Sequence, residues 1–518
     1  MSREFDYVVV GGGTAGAVVA ARLSEDPNTS VCLLEAGPSD VDDSAILELD
    51  RWMALLESGY DWNYPVEHQE NGNSFLRHAR AKVLGGCSSH NSCIAFWAPA
   101  EDLDEWASLG LPGWSAADVF PLFRELENND GPGDHHGRSG PVRIRSVPPH
   151  DPAGVALLEA CEQAGIPKVE FNSGNTVTNG ANWFQINAWE DGTRASASVA
   201  YLHPILDKRS NLEVRTDVRA KKLTFDGMRC TGVEILTEDL VHSEHIAARG
   251  EVVVSCGAID SPKLLMLSGI GPAEELMGFN IDVLVDSPGI GRNLQDHPEG
   301  LVQWEARKPM VDESTQWWEI GIFTTTEPGL DRPDLMFHYG SIPFDLNTLR
   351  HGYPTTENGF CLTPNVTRAR STGTVRLRTP DFRDRPKVDP HYFTDPYDMR
   401  VMTHGIRLAR RIVSQPAMRE WAGTELAPGP EAQSDEELAD YITKTHNTVY
   451  HPSCTVKMGP SSDPMAPLDE RLRVRGVEGL RVADGSVMPF ITAINPCITT
   501  MAIGEKAADM IAEDARRG

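Results

Sequence analysis

Long apolar runs are absent from this sequence of 518 residues. No stretch approaches the roughly 20 consecutive apolar residues that are needed to cross a bilayer, and no basic segment of the secretory type opens the chain. CxxC pairs and zinc-ligand spacings are also missing among the nine cysteines, so neither a metal site nor a disulfide framework is expected. We therefore expect a soluble, cytoplasmic protein with reduced thiols.

Basic residues are scarce relative to acidic ones. The chain has 47 Lys and Arg against 75 Asp and Glu, which gives a formal net charge of -28. Such a surface repels phosphate backbones and anionic lipid headgroups, so nucleic-acid and membrane-surface partners are not expected. A cationic ligand is compatible with it, although acidity also serves solubility alone. Repeats and low-complexity tracts are absent too, and the length predicts two or more domains.

The segment from residue 6 to residue 35 has the pattern of a dinucleotide-binding unit. It predicts a strand, a glycine turn, a helix and a second strand at residues 6–10, 11–16, 17–23 and 31–34. Gly11 permits the tight turn, Gly13 lets backbone approach a pyrophosphate, and Gly16 allows close packing of helix on strand. Glu35 follows the second strand, where an acidic side chain can accept hydrogen bonds from a ribose. This pattern alone fits NAD and FAD equally.

Further elements of an α/β fold follow. A buried strand is predicted at 251–255, and shorter strands are predicted at 212–214 and 220–225. The segment 499–515 has the pattern of a helix, with small residues such as Gly504 that allow close packing.

Three separated stretches resemble the signatures of the glucose-methanol-choline (GMC) oxidoreductases, which carry FAD. They are AKVLGGCSSHN at 81–91, GAIDSPKLLMLSGIG at 257–271, and a C-terminal set of His451-Pro452, VADGS at 482–486 and Asn495-Pro496. The resemblance extends over nearly the whole chain. It implies FAD as the cofactor and a mixed α/β (α+β) fold, with a Rossmann-like FAD-binding domain and a smaller substrate domain built on an antiparallel sheet.

The resemblance also implies a discontinuous arrangement of the two domains along the chain. We expect the FAD-binding domain to comprise residues 1–147, 190–298 and 449–518. The substrate-binding domain is then formed by residues 148–189 and 299–448.

His90 departs from the commonest family pattern, in which an aliphatic residue stands at this position. The resemblance implies that Gly85 and Gly86 bring backbone against the isoalloxazine, so His90 lies beside the dimethylbenzene edge of the ring. In the choline-oxidising branch of the family, the His at this position is bonded to FAD, and we expect a covalent FAD on His90. A hydrogen-bonded structural His is the alternative.

Other cofactor contacts are implied by the same resemblance. Asn91 follows His90 in the first signature. Val218 matches a position that meets the adenine end through its backbone, and Asp484 matches one near the ribityl and pyrophosphate groups.

The run GIGRNLQDHPEG at 289–300 narrows the resemblance to the choline-oxidising branch. The positions that match its substrate cavity are Trp52, Glu299, Trp318, Tyr450 and Phe344. Choline is a quaternary ammonium alcohol whose head group has no hydrogen-bond donor, so charge and aromatic faces must recognise it, with roughly 0.5 to 2 kcal/mol from each ring. Glu299 supplies the formal charge, and a bound cation would offset the cost of burying it. For any single Trp, core packing is the alternative.

Alcohol oxidation requires that the hydroxyl proton is removed while a hydride passes from the α-carbon to flavin N5. The resemblance assigns this site to His451 and Asn495, with His338 holding the alcohol oxygen. Whether His451 accepts the proton or, as a cation, stabilises the alkoxide is open. Three further positions are Ser92 near flavin N5, Val449 on the approach of oxygen, and His297, for which a structural network is an equal alternative.

The expected activity is oxidation of choline through betaine aldehyde to glycine betaine, with dioxygen reduced to hydrogen peroxide. A choline dehydrogenase and an oxidase of other primary alcohols are alternatives, and His90 favours the oxidase. A non-redox FAD-containing lyase of the family and a non-catalytic binding protein for quaternary amines are also considered. The family further implies a homodimer, although no residue pattern indicates an interface.

Overall fold

The computed structural model of the protein describes residues 3 to 517. Strand Arg3–Val10 leads through the glycine turn into helix Thr14–Leu23, and strand Val31–Leu34 follows. The two strands pair in parallel, with Tyr7 opposite Val31. The predicted dinucleotide unit is therefore confirmed.

A seven-stranded sheet contains this unit. Six strands lie in the order Arg219–Asp226, Arg229–Leu236, Ser243–Val254, Arg3–Val10, Val31–Leu34 and Leu212–Arg215, and Leu480–Val482 pairs with Ser243–Val254. The first two strands form an antiparallel edge, whereas the others pair in parallel. Parallel strands need cover on both faces, which agrees with the apolar runs that predicted them. The strands predicted at 212–214, 220–225 and 251–255 are all present.

The helix Cys497–Arg517 packs against helix Thr14–Leu23. A Cβ atom at Gly504 would lie 2.8 Å from the carbonyl oxygen of Ala15 and 2.9 Å from the Cβ of Val18. Glycine is therefore required for this close approach, as the small-residue pattern predicted.

A second, eight-stranded sheet is antiparallel throughout. Six strands lie in the order Ala422–Ala427, Val302–Ala306, Gly359–Val366, Leu335–Gly340, Trp318–Thr324 and Gly180–Trp183, and Pro298–Glu299 joins Gly359–Val366 to Asn447–Thr448. Helix Pro396–Val413 packs on this sheet, and helices Pro152–Gln163 and Asp435–Thr445 contact that helix.

The remaining elements are short. The other α-helices are Ser44–Leu47, Ala100–Ser108, Ala116–Leu126, Gly257–Leu267 and Ala273–Gly278. Two three-stranded sheets consist of Glu127–Asn129, Val142–Ser146 and Gln185–Ile186, and of Arg292–Leu294, Gly373–Arg376 and Lys387–Asp389. Two two-stranded sheets pair Tyr64–Pro65 with Arg77–His78, and Ile270–Gly271 with Val285–Asp286.

Two large hydrophobic cores accompany the two sheets. Trp52 and Phe96, which fall within the predicted FAD-domain segment 1–147, pack in the core of the eight-stranded sheet. The two parts of the molecule are therefore closely joined at this border, and the domain boundaries given above stay a prediction.

All nine cysteines are unpaired. Between residues 3 and 517, no helix combines the length and the apolar character that a membrane span requires. Within the same range, no cluster of three or more His, Cys, Asp or Glu side chains is arranged to hold a metal ion.

Candidate active site

One cavity is lined by residues of both sheets. The predicted site residues that line it are Gly11, Gly13, Glu35, Trp52, Gly86, His90, Asn91, Ser92, Val218, Glu299, Trp318, His338, Phe344, Val449, Tyr450, His451, Asp484 and Asn495. Gly16 and Gly85 lie outside the lining and pack against its wall. The structure thus brings together residues that are up to 484 positions apart in the sequence.

The glycine turn forms one end of the cavity, at the carboxyl end of strand Arg3–Val10. A Cβ atom at Gly11, which has φ of +103°, would overlap the backbone of Ser255, and one at Gly16 would overlap the carbonyl oxygen of Gly11. At Gly13 the nearest atom to such a Cβ would be 3.8 Å away. Gly13 is also the N-cap of helix Thr14–Leu23, which has no side-chain cap. The first N–H groups of this helix can therefore bind an anion.

Three further residues surround this end. Glu35 is buried, and its two carboxylate oxygens accept hydrogen bonds from the N–H groups of Gly12 and Gly37 at 2.9 and 2.8 Å. Burial raises the pKa of Glu35 to about 7. The N–H of Val218 donates to the carbonyl oxygen of Glu35 at 3.0 Å, so a ligand contact of Val218 would be made by its carbonyl group. Asp484 accepts from the N–H of Gly257 at 2.9 Å.

Gly85 and Gly86 pack directly on the glycine turn. The N–H of Gly85 donates to the carbonyl oxygen of Gly12 at 2.7 Å, and a Cβ atom at Gly86 would lie 2.6 Å from the Cα of Gly13. His90 follows in the same wall of the cavity and is 4% exposed, with Nε2 3.1 Å from the carbonyl oxygen of Leu55. Burial lowers its pKa to about 4. His90 is therefore neutral at pH 7, and one ring nitrogen keeps a lone pair.

Sheet register places Glu299, His338 and Trp318 on one face. Glu299 pairs with Asn365 and His338 pairs with Thr363, two positions apart on the same strand. Directly paired residues share a face, and residues two apart on a strand do as well. Trp318 pairs with Gly340, two residues after His338, and therefore falls on that face too.

Aromatic rings and one carboxylate form the far end of the cavity. The ring of Trp318 meets those of Trp52 and Phe344 edge to face, with centroids 5.5 and 5.4 Å apart. The indole N–H of Trp52 donates to the carbonyl oxygen of Gln316 at 2.8 Å. Glu299 is 6% exposed, and its Oε1 lies 3.6 Å from Nδ1 of His338. This nearly dry carboxylate next to aromatic faces suits a cation without hydrogen-bond donors.

His451 and Asn495 line the same cavity. Nδ1 of His451 is 2.9 Å from Nδ1 of His297, so one of these nitrogens donates to the other. Asn495 is 8% exposed, and its Oδ1 is buried without a hydrogen-bond partner in the described part of the chain. A buried polar atom in this condition is costly, and a ligand in the cavity would relieve that cost.

Two histidines of this region, His297 and His451, have lowered pKa values. Burial, followed by neighbouring His297, His338 and Arg80, holds the pKa of His451 well below its usual range. Burial also lowers the pKa of His297 to about 4. Before substrate binds, His451 is therefore uncharged and can accept a proton.

The cavity has wall residues that sequence reasoning missed. Trp62, Arg219, Lys263 and Phe382 line its nucleotide end, where the guanidinium of Arg219 lies 5.1 Å from the ring centre of Trp62. Lys263 falls inside the second family signature, which could have indicated it. The other three belong to no motif, because their proximity arises only from the fold.

The residues present fit FAD. The glycine turn and the open helix end suit a pyrophosphate, and Gly86, His90, His451 and Asn495 surround the continuation of the same cavity. One cavity thus extends from the dinucleotide turn to His451 and Asn495.

Comparisons with known proteins agree with this geometry. Models of the GMC oxidoreductase family match residues 5–299 and 369–504. A choline oxidase of Arthrobacter globiformis is 67% identical over 523 residues, spanning 100% of this chain and 95% of that protein. A mitochondrial choline dehydrogenase of Mus musculus is 37% identical over 541 residues, spanning 98% of this chain and 89% of that protein. The crystal structure of pyridoxine 4-oxidase from Mesorbium loti superposes with a TM-score of 0.91 at 32% identity and covers 98% of both chains.

Proposed function

The chain belongs to the GMC oxidoreductase family and is an FAD-dependent alcohol oxidase, and from this premise we propose that its substrate is choline and its electron acceptor is dioxygen. The observation that carries the proposal is that the buried Glu299 lines one cavity together with aromatic rings and with His451 and Asn495. The 67% identity to a choline oxidase supports it. The products are betaine aldehyde, then glycine betaine, with hydrogen peroxide.

Substrate recognition is assigned to Glu299 and the rings of Trp52, Trp318, Phe344 and Tyr450. The trimethylammonium group offers no N–H to an acceptor, so its affinity comes from the carboxylate and the ring faces. The positive charge of this group compensates the carboxylate of Glu299 for the hydration that it loses on burial. The carboxylate thereby fixes the orientation of the substrate, with the hydroxyl directed away from it.

Proton removal is assigned to His451, with Asn495 and His338 holding the alcohol oxygen. For this role Nδ1–H of His451 must donate to Nδ1 of His297, which leaves Nε2 unprotonated and able to accept the hydroxyl proton. The imidazolium that forms then stabilises the alkoxide. FAD bound in this cavity supplies the acceptor for the hydride, and Ser92 lies in the same wall as His90.

We further propose that His90 is bonded covalently to FAD. Its burial in the cavity wall and its neutral ring support this. A bond from an imidazole nitrogen of His90 to the flavin methyl carbon would replace one C–H and one N–H bond, and the two electrons and two protons released would reduce dioxygen to hydrogen peroxide. Acid precipitation of the holoenzyme should leave the yellow colour in the pellet, and complete release into the supernatant would contradict the bond. The remaining cofactor contacts that we assign are Gly11, Gly13, Gly16, Glu35, Gly85, Gly86, Asn91, Val218, Asp484 and Asn495.

One anaerobic titration tests the reaction. Choline, 3,3-dimethylbutanol and hexanol are added in turn while flavin absorbance is followed. Choline is expected to bleach the flavin at the lowest concentration, because only choline carries the positive charge. No bleaching would favour the non-redox lyase, and a lower requirement for hexanol would favour an oxidase of other primary alcohols. Peroxide formation in aerobic buffer without dye or quinone separates the oxidase from a choline dehydrogenase.

We also propose a cytoplasmic homodimer with the two-domain division given above. The nine unpaired cysteines support a reducing compartment, and the family supports the dimer. Light scattering after gel filtration measures the mass, and 56.8 kDa would indicate a monomer.

A further inference from the structure

The segment from Thr448 to His451 makes a strained turn at the cavity. Tyr450 has φ of +62°, a left-handed backbone conformation that bulky aromatic residues rarely adopt. Such a conformation persists only where surrounding contacts hold it, and it often accompanies function. Tyr450 and His451 both line the cavity, so this turn determines where two of the assigned residues point.

Asp296 binds both ends of the turn. Its Oδ1 accepts from the backbone N–H of His451 at 2.8 Å, and its Oδ2 accepts from the hydroxyl of Thr448. The hydroxyl of Thr448 in turn accepts from the N–H of Tyr450 at 2.8 Å. Tyr392 donates to the same Oδ2. Because Asp296 is only 4% exposed, water does not compete for these hydrogen bonds.

Arg80 binds the middle of the turn. Its Nη2 donates to the carbonyl oxygen of Tyr450, and its Nε donates to the carbonyl oxygen of Ala79, both at 2.6 Å. The side chain also lines the cavity. A carboxylate therefore accepts from the N–H of His451 and the hydroxyl of Thr448, while a guanidinium donates to the carbonyl oxygen of Tyr450.

We infer that Asp296 and Arg80 are positioning residues that together keep this turn in the strained form and so direct Tyr450 and His451 at the substrate. The inference deepens the proposed function and rests on it, because it supposes that His451 accepts the substrate's proton. A rigidly placed base is what proton transfer requires, since small displacements of a reacting group are costly.

Arg80 also acts on His451 through its charge. The groups that face His451 are His297, His338 and Arg80, while Asp296 contacts only its backbone. Burial dominates the low pKa of His451, and these three groups lower it further. Removal of the positive charge would therefore raise the pKa of His451. On acidification, His451 would then become protonated at a higher pH than in the unaltered protein.

The test compares holoenzyme variants Asp296→Asn, Arg80→Met and Arg80→Lys with Asp398→Asn. Asp398 is a matched control, because it is fully buried and also accepts from backbone N–H groups, those of Arg370 and Ser371. In Asp296→Asn, the amide offers a single acceptor oxygen, whereas three groups donate to Asp296: the N–H of His451 and the hydroxyls of Thr448 and Tyr392. Anaerobic stopped-flow mixing with choline gives the limiting rate of flavin reduction and the apparent Kd, each measured across pH.

We expect Asp296→Asn to lower the limiting rate about 10- to 100-fold, with a much smaller change in Kd, while Asp398→Asn changes neither. We expect Arg80→Met to move the acid limb of the rate profile to higher pH by roughly 0.5 to 1 unit, and Arg80→Lys to restore its position.

Equal rates in the Asp296 and Asp398 variants would overturn the inference. So would an Arg80→Met profile with an unshifted acid limb. If Asp296→Asn does not retain flavin, the inference is tested by the acid limb of the rate profiles of Arg80→Met and Arg80→Lys. Failure of choline to reduce the unaltered protein would instead overturn the proposed function, and the inference with it.

Discussion

The two ends of the cavity are built in different ways. The nucleotide end is centred on the glycine turn, a backbone element of one continuous segment in which a Cβ atom at Gly11 or Gly16 would overlap neighbouring backbone. The reacting end is made of side chains from distant segments, such as Glu299 and His451, which sheet register and a strained turn bring together. A backbone site depends on local sequence, whereas a side-chain site depends on the whole fold.

The largest effect is expected from Gly16→Ala at the nucleotide end. The added Cβ would overlap the carbonyl oxygen of Gly11, and overpacking against backbone costs about 3 kcal/mol or more. We expect the purified variant to carry little flavin and to unfold at a lower temperature. Absorbance near 450 nm, relative to protein, measures the loss.

Gly278→Ala is the matched control, since a Cβ atom at Gly278 would have open space around it. It should keep full flavin content. If both variants bind flavin normally, the glycine turn is more tolerant than the backbone contacts indicate.

At the reacting end, His451→Ala should leave flavin content unchanged while the rate of flavin reduction by choline falls. Loss of a general base typically costs about 100- to 10,000-fold. Anaerobic stopped-flow mixing measures this rate directly. A near-normal rate would show that His451 does not take the proton, and another group would have to be sought among the residues that face it.

Glu299→Gln should show how much of the substrate affinity at the same end comes from the charge of the carboxylate and how much from the shape of the cavity. The amide keeps the size of the side chain, but it loses the attraction for the trimethylammonium group. We expect KM for choline to rise about 10- to 100-fold, equivalent to ~1.4 to 2.8 kcal/mol, and KM for 3,3-dimethylbutanol to change little. Equal changes for the two alcohols would mean that Glu299 serves structure and not recognition.

The smallest effect concerns the dependence of the free energy of unfolding on pH. Buried groups near the two ends change this free energy in opposite directions as the pH rises. Burial lowers the pKa values of His78 and His446, near the reacting end, to about 4 from 6.5. The unfolded chain binds more protons between these values, so stability is lost as the pH falls from 6.5 to 4, by up to about 3 kcal/mol for each group. Burial raises the pKa of Glu35 to about 7 from 4.5, so its contribution is lost as the pH rises through that range.

Thermal unfolding of the holoenzyme between pH 4 and pH 8 measures these contributions. His446→Gln should flatten the acid side of the profile, and Glu35→Gln should flatten the slope between pH 4.5 and pH 7. Unchanged slopes in both variants would contradict the pKa directions.

The glycine turn and its flanking strands and helix could be predicted from sequence, because their patterns all lie within residues 6–35, whereas Trp62, Arg219 and Phe382 at the same end could not. The residues of the reacting end could be assigned only through resemblance to a family. Their geometry could not be predicted, because the pairing of Glu299 with Asn365 and of His338 with Thr363 depends on non-local strand register. Arg80 gave no signal at all, since its partner is a backbone carbonyl 370 residues away.

The contact between helices Thr14–Leu23 and Cys497–Arg517 has a consequence for biosynthesis. The dinucleotide unit is covered by the helix Cys497–Arg517, which is synthesised long after it, and strand Leu480–Val482 joins its sheet at a similarly late stage. During translation, the apolar face of the helix Thr14–Leu23 therefore stays uncovered until nearly five hundred further residues have been made. Such long-range closure is slow and exposes nascent chains to aggregation. Additional chaperones during synthesis should therefore raise the yield of active protein.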